Sequence, residues 1–195
     1  MVATQSCMLP IGTIAPRFSL EDVTSKEIVE LKSGDKSKGY LVAFICNHCP
    51  YVIHLLNHLP IEFNRLQENG IKVFAISSND IENYPQDSPG AMQQLAQDYN
   101  FKFPYLYDEN QEVAASYTAA CTPDFFLFDE NLSLFYRGRY DSSRPGSDKV
   151  VSGEDLLGAV DCLLNEKKVP EEQLPSIGCN IKWKPGHEPS YFQTK

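Results

Sequence analysis

Along the chain, apolar and polar positions first alternate, then run together, then recur at helical spacing. Pro16-Arg17-Phe18-Ser19-Leu20 and Ile28-Val29-Glu30-Leu31 alternate, with turn residues at Asp22 and Ser33-Gly34-Asp35. Period-two alternation predicts two strands, read as a pair that caps one edge of a sheet. Residues 40–45 then form a continuous apolar run, the signature of a parallel strand covered on both faces. Val52, Leu55, Leu56, Leu59, Phe63 and Leu66 fall on one helical face. Pro60 should kink that helix and Asn69-Gly70 should close it. Residues 71–78 predict a second buried strand and residues 79–87 a polar loop. A short helix capped by Ser88, with Pro89 in its first turn, comes next.

Residues 103–107 predict a short strand and residues 111–119 a short helix. Residues 124–128 and 132–136 flank the turn Asp129-Glu130-Asn131, a strong hairpin signal. A loop over 141–150 leads to a helix over 152–167, with Leu156, Leu157, Val160, Leu163 and Leu164 on one face. Residues 168–195 carry four prolines and no periodicity. The order is a β-pair, β-α-β-α-β-α, a hairpin and a last helix. It predicts an α/β fold, a mixed sheet flanked by helices on both faces. One domain over residues 1–167 with a tail, 168–195, packed on it suits a length of 195 residues.

Composition narrows the function. Apolar residues make up 42% and charged residues 22%, an ordinary globular balance. A net charge of −9 argues against nucleic acid or an anionic membrane as partner, since both need clustered Lys and Arg. No run reaches the ~20 apolar residues of a membrane span. Residues 1–10 lack the basic and apolar regions of a secretory signal, so a cytoplasmic location is expected. Six cysteines are too sparse for a disulfide scaffold, so Cys7, Cys121, Cys162 and Cys179 are expected as thiols.

The candidate chemistry is Cys46-Asn47-His48-Cys49-Pro50, between a predicted buried strand and a predicted helix. The unpaired N–H groups and dipole of a helix N-terminus stabilise a thiolate, the nucleophile of disulfide exchange. Cys46 reads as the attacking thiol and Cys49, one turn later, as the resolving thiol. An imidazolium at His48 would stabilise the thiolate further. Cys46 is then expected to titrate below neutral pH and the couple to be more oxidising than thioredoxin. His54 and His58, at i and i+4, could be written with Cys46 and Cys49 as a Cys2His2 metal set, but the spacing is wrong for a zinc finger. No metal is expected. Cys162 reads as core.

With Thr122-Pro123 before the hairpin and Gly138 at its end, these residues resemble the thioredoxin superfamily. The resemblance is to the branch of thiol-disulfide reductases and peroxiredoxins with an N-terminal β-pair and an inserted αβ unit, and it covers residues 12–167. The tail, Gly178-Cys179-Asn180-Ile181-Lys182-Trp183, resembles a subgroup of largely uncharacterised bacterial thioredoxin-like proteins and implies no substrate. The resemblance implies a cis peptide at Thr122–Pro123. The Thr122 backbone would then pair with an extended substrate segment. Gly138 would border the site, so Arg139 could touch substrate. Cys121 and Cys179 could modulate the dithiol as further thiols. The plainer reading is two small buried hydrophobes.

The chain also departs from its relatives. Gly39 and Ala43 stand where peroxiredoxins carry Pro and Thr or Ser, so the hydroxyl that would bind peroxide is missing. Tyr40 stands where thioredoxin has a buried Asp, and Ile45 where it has Trp. The expected function is thiol-disulfide exchange on a protein or small-molecule disulfide. The redox-active disulfide is its only cofactor, and an unnamed donor supplies electrons. The alternatives are a thiol peroxidase and a metal-binding or redox-sensing module.

Overall fold

Residues 39–44 form the central strand of the molecule and are buried throughout. The structure is a computed structural model that describes residues 3–168 and 172–192. In chain order it contains β1 (Ala3–Gln5), β2 (Ser19–Glu21), β3 (Ile28–Glu30), β4 (Gly39–Phe44), α1 (Pro50–Leu55), α2 (Leu59–Glu68) and β5 (Ile71–Ser77). Then come α3 (Pro89–Asp98), β6 (Tyr105–Tyr107), α4 (Glu112–Ser116), β7 (Cys121–Thr122), β8 (Asp124–Asp129), β9 (Leu134–Gly138), α5 (Glu154–Leu164) and β10 (Ile177–Asn180).

The main sheet has the order β6-β5-β4-β8-β9, with β4 parallel to β5 and antiparallel to β8. Alternate residues of β4 therefore enter different cores. Leu41 and Ala43 join Val52, Leu59 and Phe63 of α1 and α2, Met92 of α3 and Leu156 of α5. Tyr40, Val42 and Phe44 join Phe18, Phe74, Phe126, Tyr117 and Ala114 of α4. Helices thus cover both faces of a mixed sheet, as the element order predicts. The pair β2–β3 lies against the outer strand β6 through an Asp22–Leu106 bridge.

Two predicted elements differ. The expected helix over 52–66 is two helices, broken at Leu56–His58. Pro60 is the cause: it lacks an N–H, and its ring collides with the carbonyl four residues back, so it starts α2 instead of continuing α1. The tail contains a strand where none was expected. β10 lies between β1 and β7 in a separate three-stranded sheet. Its contacts run to residues far away in sequence, so no local period reveals it. Residues 169–171 and 193–195, which belong to the predicted tail, lie outside the described residues.

Candidate active site

Cys46 lies one residue beyond the end of β4, and the strand geometry persists through the intervening residue: Ile45 N–H donates to Ile76 C=O at 2.9 Å. Cys49 precedes α1 in an extended conformation, and its carbonyl accepts from Val52 and Ile53 N–H at 2.9 Å each. Pro50 fits the first helical position because the N–H there has no intrahelical partner. Both thiols are buried, Cys46 at 1% and Cys49 at 0% exposure, so no protein-sized partner reaches either sulfur in this state.

The Thr122–Pro123 peptide is cis. Thr122 meets both sulfurs. Its Oγ1 lies 3.3 Å from Cys46 Sγ, and its carbonyl accepts from Cys49 Sγ at 3.1 Å. The Thr122 hydroxyl contact was not foreseen, because only the backbone of that residue carried an expectation.

The charge balance differs from the expected one. Cys46 is pushed well above the ordinary thiol value by its hydrogen bond to Cys49, by burial and by the nearby Asp87 carboxylate. Cys49 is held below it, chiefly by its hydrogen-bond contacts with the thiols of Cys179 and Cys46. The two sulfurs are thus shifted in opposite directions, while Cys49 Sγ remains the donor to the Thr122 carbonyl. The physical reason is range: α1 has six residues and a correspondingly small dipole, whereas the neighbouring thiols are in contact.

His48 does not act on Cys46 alone. Its Nδ1 lies 2.6 Å from Asp87 Oδ2, and its ring stacks on Tyr84 with centroids 5.4 Å apart. Asp87 is fully buried and also accepts from Asn47 N–H at 2.8 Å, His48 N–H at 3.3 Å and Asn79 Nδ2 at 2.8 Å. The carboxylate offsets the imidazole charge that was expected to favour a Cys46 thiolate. Asp87 escaped sequence analysis because a 3-10 turn over Pro85–Asp87 brings it to Asn47 from 40 residues away. In Gln86-Asp87-Ser88 nothing separates it from an ordinary acidic residue near a helix start.

The edge of Thr122 is occupied. Cys179 pairs with Thr122 and Asn180 with Cys121 in antiparallel register, and β1 covers the other side of β10. A Cβ at Gly178 would lie 2.0 Å from Thr122 O, so only glycine allows this approach. The backbone expected to receive a substrate strand is thus paired with the chain's own tail. Gly138 is likewise covered: a Cβ there would lie 2.3 Å from Leu174 O. Arg139 donates from Nε to Asp155 Oδ2 at 2.6 Å and lines, with Pro123, Tyr51 and His54, a cleft of about 20 Å³. That volume holds about one water. Cys121 turns its sulfur toward Pro123 C=O at 3.7 Å and is pushed up chiefly by burial, as an inert core thiol would be.

The Cys2His2 set is not assembled, since His54 bonds Ser143 Oγ at 3.0 Å and His58 bonds Tyr140 OH at 2.8 Å. Among the described residues, Cys46, His48 and Asp87 are the group able to offer three ligand atoms to a metal, within 4.8 Å of one another. No helix among those residues is long and apolar enough to cross a membrane.

A family model described as the AhpC/TSA family matches residues 11–137. A solved structure of an uncharacterized conserved protein from Geobacillus kaustophilus is 47% identical, with a TM-score of 0.92, covering 95% of this chain and 98% of that one. The thioredoxin domain of a thiol-disulfide oxidoreductase from Bacteroides vulgatus aligns with a TM-score of 0.61 at 18% identity, over 81% of this chain and 100% of that one. This likeness shows a thioredoxin fold. Thiol-disulfide oxidoreductase ResA of Bacillus anthracis is 27% identical over 126 residues, 63% of this chain. The match spans 66% of that relative, just under two thirds of its length.

Proposed function

The chain belongs to the AhpC/TSA family, within the redoxin branch of the thioredoxin superfamily, and on that premise we propose that it is a thiol-disulfide oxidoreductase working through Cys46 and Cys49. The observation that carries the reading is the double contact of Thr122, hydroxyl to Cys46 and carbonyl to Cys49. Cys46 and Cys49 share a hydrogen bond. Loss of the Cys46 proton to solvent leaves Cys46 as thiolate and Cys49 as thiol. The Thr122 hydroxyl then donates to the new anion, and the Cys49 S–H donates to the Thr122 carbonyl. One residue therefore supports the reactive protonation state at both sulfurs.

The Cys46 thiolate attacks one sulfur of a substrate disulfide, and the other sulfur leaves with the electron pair and takes up a proton. Cys49 then attacks Cys46 Sγ, the second substrate thiol departs, and a Cys46–Cys49 disulfide remains for an external dithiol to reduce. Burial limits the substrate to a small disulfide, or to a segment that displaces β10. A peroxidase reading gains nothing from Ala43, whose side chain is a core methyl.

Reduction of 2-hydroxyethyl disulfide and of insulin, with dithiothreitol as donor, tests the proposal. The wild type should accelerate at least the smaller substrate, and Cys46→Ser should abolish the effect. Cys49→Ser should accumulate a mixed disulfide at Cys46. Full activity in Cys46→Ser would overturn it.

A further inference from the structure

We propose that Cys179 is a third redox thiol, which takes the disulfide over from Cys46 by bonding to Cys49 and so staples the tail strand β10 across Thr122 and Pro123. This rests on the dithiol reading above. The first observation is placement. β10 runs antiparallel to β7 with Cys179 opposite Thr122, the edge on which an extended substrate would lie. Gly178 allows the tail backbone to sit closer to Thr122 O than any side chain would permit. The tail thus lies where a bound substrate strand would, and it carries a cysteine opposite the residue before the cis proline.

The second observation is contact. Cys179 is 3% exposed and lies in one buried cluster with Cys46 and Cys49. Its thiol is in hydrogen-bond contact with that of Cys49, which also contacts the thiol of Cys46. Cys49 is therefore flanked by two thiols and can close a disulfide with either. An ordinary core cysteine meets apolar atoms. This one meets the second sulfur of the CxxC pair.

The step balances within the chain. Starting from the Cys46–Cys49 disulfide, Cys179 loses its proton and its sulfur bonds to Cys49 Sγ. The Cys46–Cys49 bond breaks, and the electron pair leaves on Cys46, which takes up a proton. One disulfide exists before and after, so no outside oxidant is consumed. Cys179 is oxidised and Cys46 is reduced. The product holds β10 covalently to the start of α1 and keeps Cys46 as a thiol. Opening the edge at Thr122 then requires reduction of Cys49–Cys179.

Tryptic mapping tests this. Cleavage after Lys38, Arg65, Lys168 and Lys182 places Cys46 and Cys49 in one peptide, 39–65, and Cys179 in another, 169–182. The full-length protein is treated with one equivalent of diamide, quenched in acid, alkylated and digested. The expected product is a cross-link of the two peptides through Cys49, with Cys46 alkylated. A disulfide confined to 39–65 with Cys179 fully alkylated would overturn the proposal, as would a cross-link through Cys46. Cys46→Ser, which keeps both partner thiols, should still give the Cys49–Cys179 cross-link, and its absence there counts against the proposal. Cys179→Ala separates the two readings. If it forms Cys46–Cys49 while the wild type lacks the cross-link, only the third-thiol proposal fails. If it forms no disulfide, the dithiol reading fails as well.

Discussion

Asp87 and Asp124 are both buried close to the Thr122–Pro123 segment, yet the fold treats them in opposite ways. Asp87 receives four donors: two backbone N–H groups, the Asn79 amide and the His48 ring. Asp124 lies one residue beyond Pro123 at 1% exposure, and neither of its oxygens finds a well-formed hydrogen bond. The amides of Ala120 and Phe125 and the Ser176 hydroxyl lie near but help only weakly, and Ser176 already donates to Gly138 C=O at 2.7 Å. Burial pushes Asp124 well above the usual carboxylate range. On the Asp87 side, supplied donors let a negative charge sit beside the dithiol and act on Cys46. On the Asp124 side, beside Cys121 and Cys7, burial favours neutral groups. Two cysteine-and-carboxylate neighbourhoods thus differ in donor supply, and only one is equipped for ionic chemistry.

The largest effect expected to break this contrast is removal of Asp87. Asp87→Ala leaves a half-buried imidazole, two N–H groups and an amide without their acceptor. Each buried donor left without a partner costs about 1–3 kcal/mol, so losing the acceptor of several sums to about 3–5 kcal/mol. At about 2–4 °C per kcal/mol for a chain of this size, a melting temperature lowered by roughly 6–20 °C is expected in calorimetry. The milder Asp87→Asn removes the charge that raises Cys46. The pH at which Cys46 becomes reactive to iodoacetamide should therefore fall, and an unchanged profile would detach Asp87 from the dithiol.

A smaller effect comes from the tail. Gly178→Ala puts a methyl onto Thr122 O, an overpacking cost of about 1–3 kcal/mol. Because the clash falls on the β7–β10 contact, the strain should open that edge locally. Faster alkylation of Cys46 and faster amide exchange over residues 177–180, with less change in β4 and β5, are expected. Uniformly faster exchange would mean that β10 does not open separately.

The smallest effect is the pH dependence of Asp124. Its folded pKa lies above its unfolded one, so the native state binds the extra proton and stability falls as pH rises from about 4 toward the folded value. Asp124→Asn lacks that loss. Its melting temperature should match the wild type near pH 4 and exceed it by several degrees at pH 8. A gap that closes with rising pH would show that Asp124 is stabilised as a carboxylate.

Much of the fold was legible because its signals are local. The continuous apolar run before Cys46, the alternation on either side of Asp129-Glu130-Asn131 and the one-sided pattern from Leu156 to Leu164 each lie within a few residues, and each became the element expected. The site was half legible. The Cys46/Cys49 spacing and the Thr122–Pro123 motif pointed to segments that the fold brings into contact. Asp87, the Thr122 hydroxyl and the contact between Cys179 and Cys49 did not show, because each depends on segments meeting from distant parts of the chain.

By itself the sequence determined the strand–dithiol–helix junction and the mixed α/β order, since periodicity and turn chemistry act over one or two turns of backbone. Only the tertiary structure decided which groups surround the two sulfurs and in which direction each shifts them. That depends on which sulfurs and carboxylates come into contact, and contact energies in a buried site outweigh the dipole of a six-residue helix. The tertiary structure also decided what covers the edge of Thr122. A four-residue strand with a glycine at its point of closest approach has no period to read, and it becomes a strand only because β1 and β7 wait on either side of it.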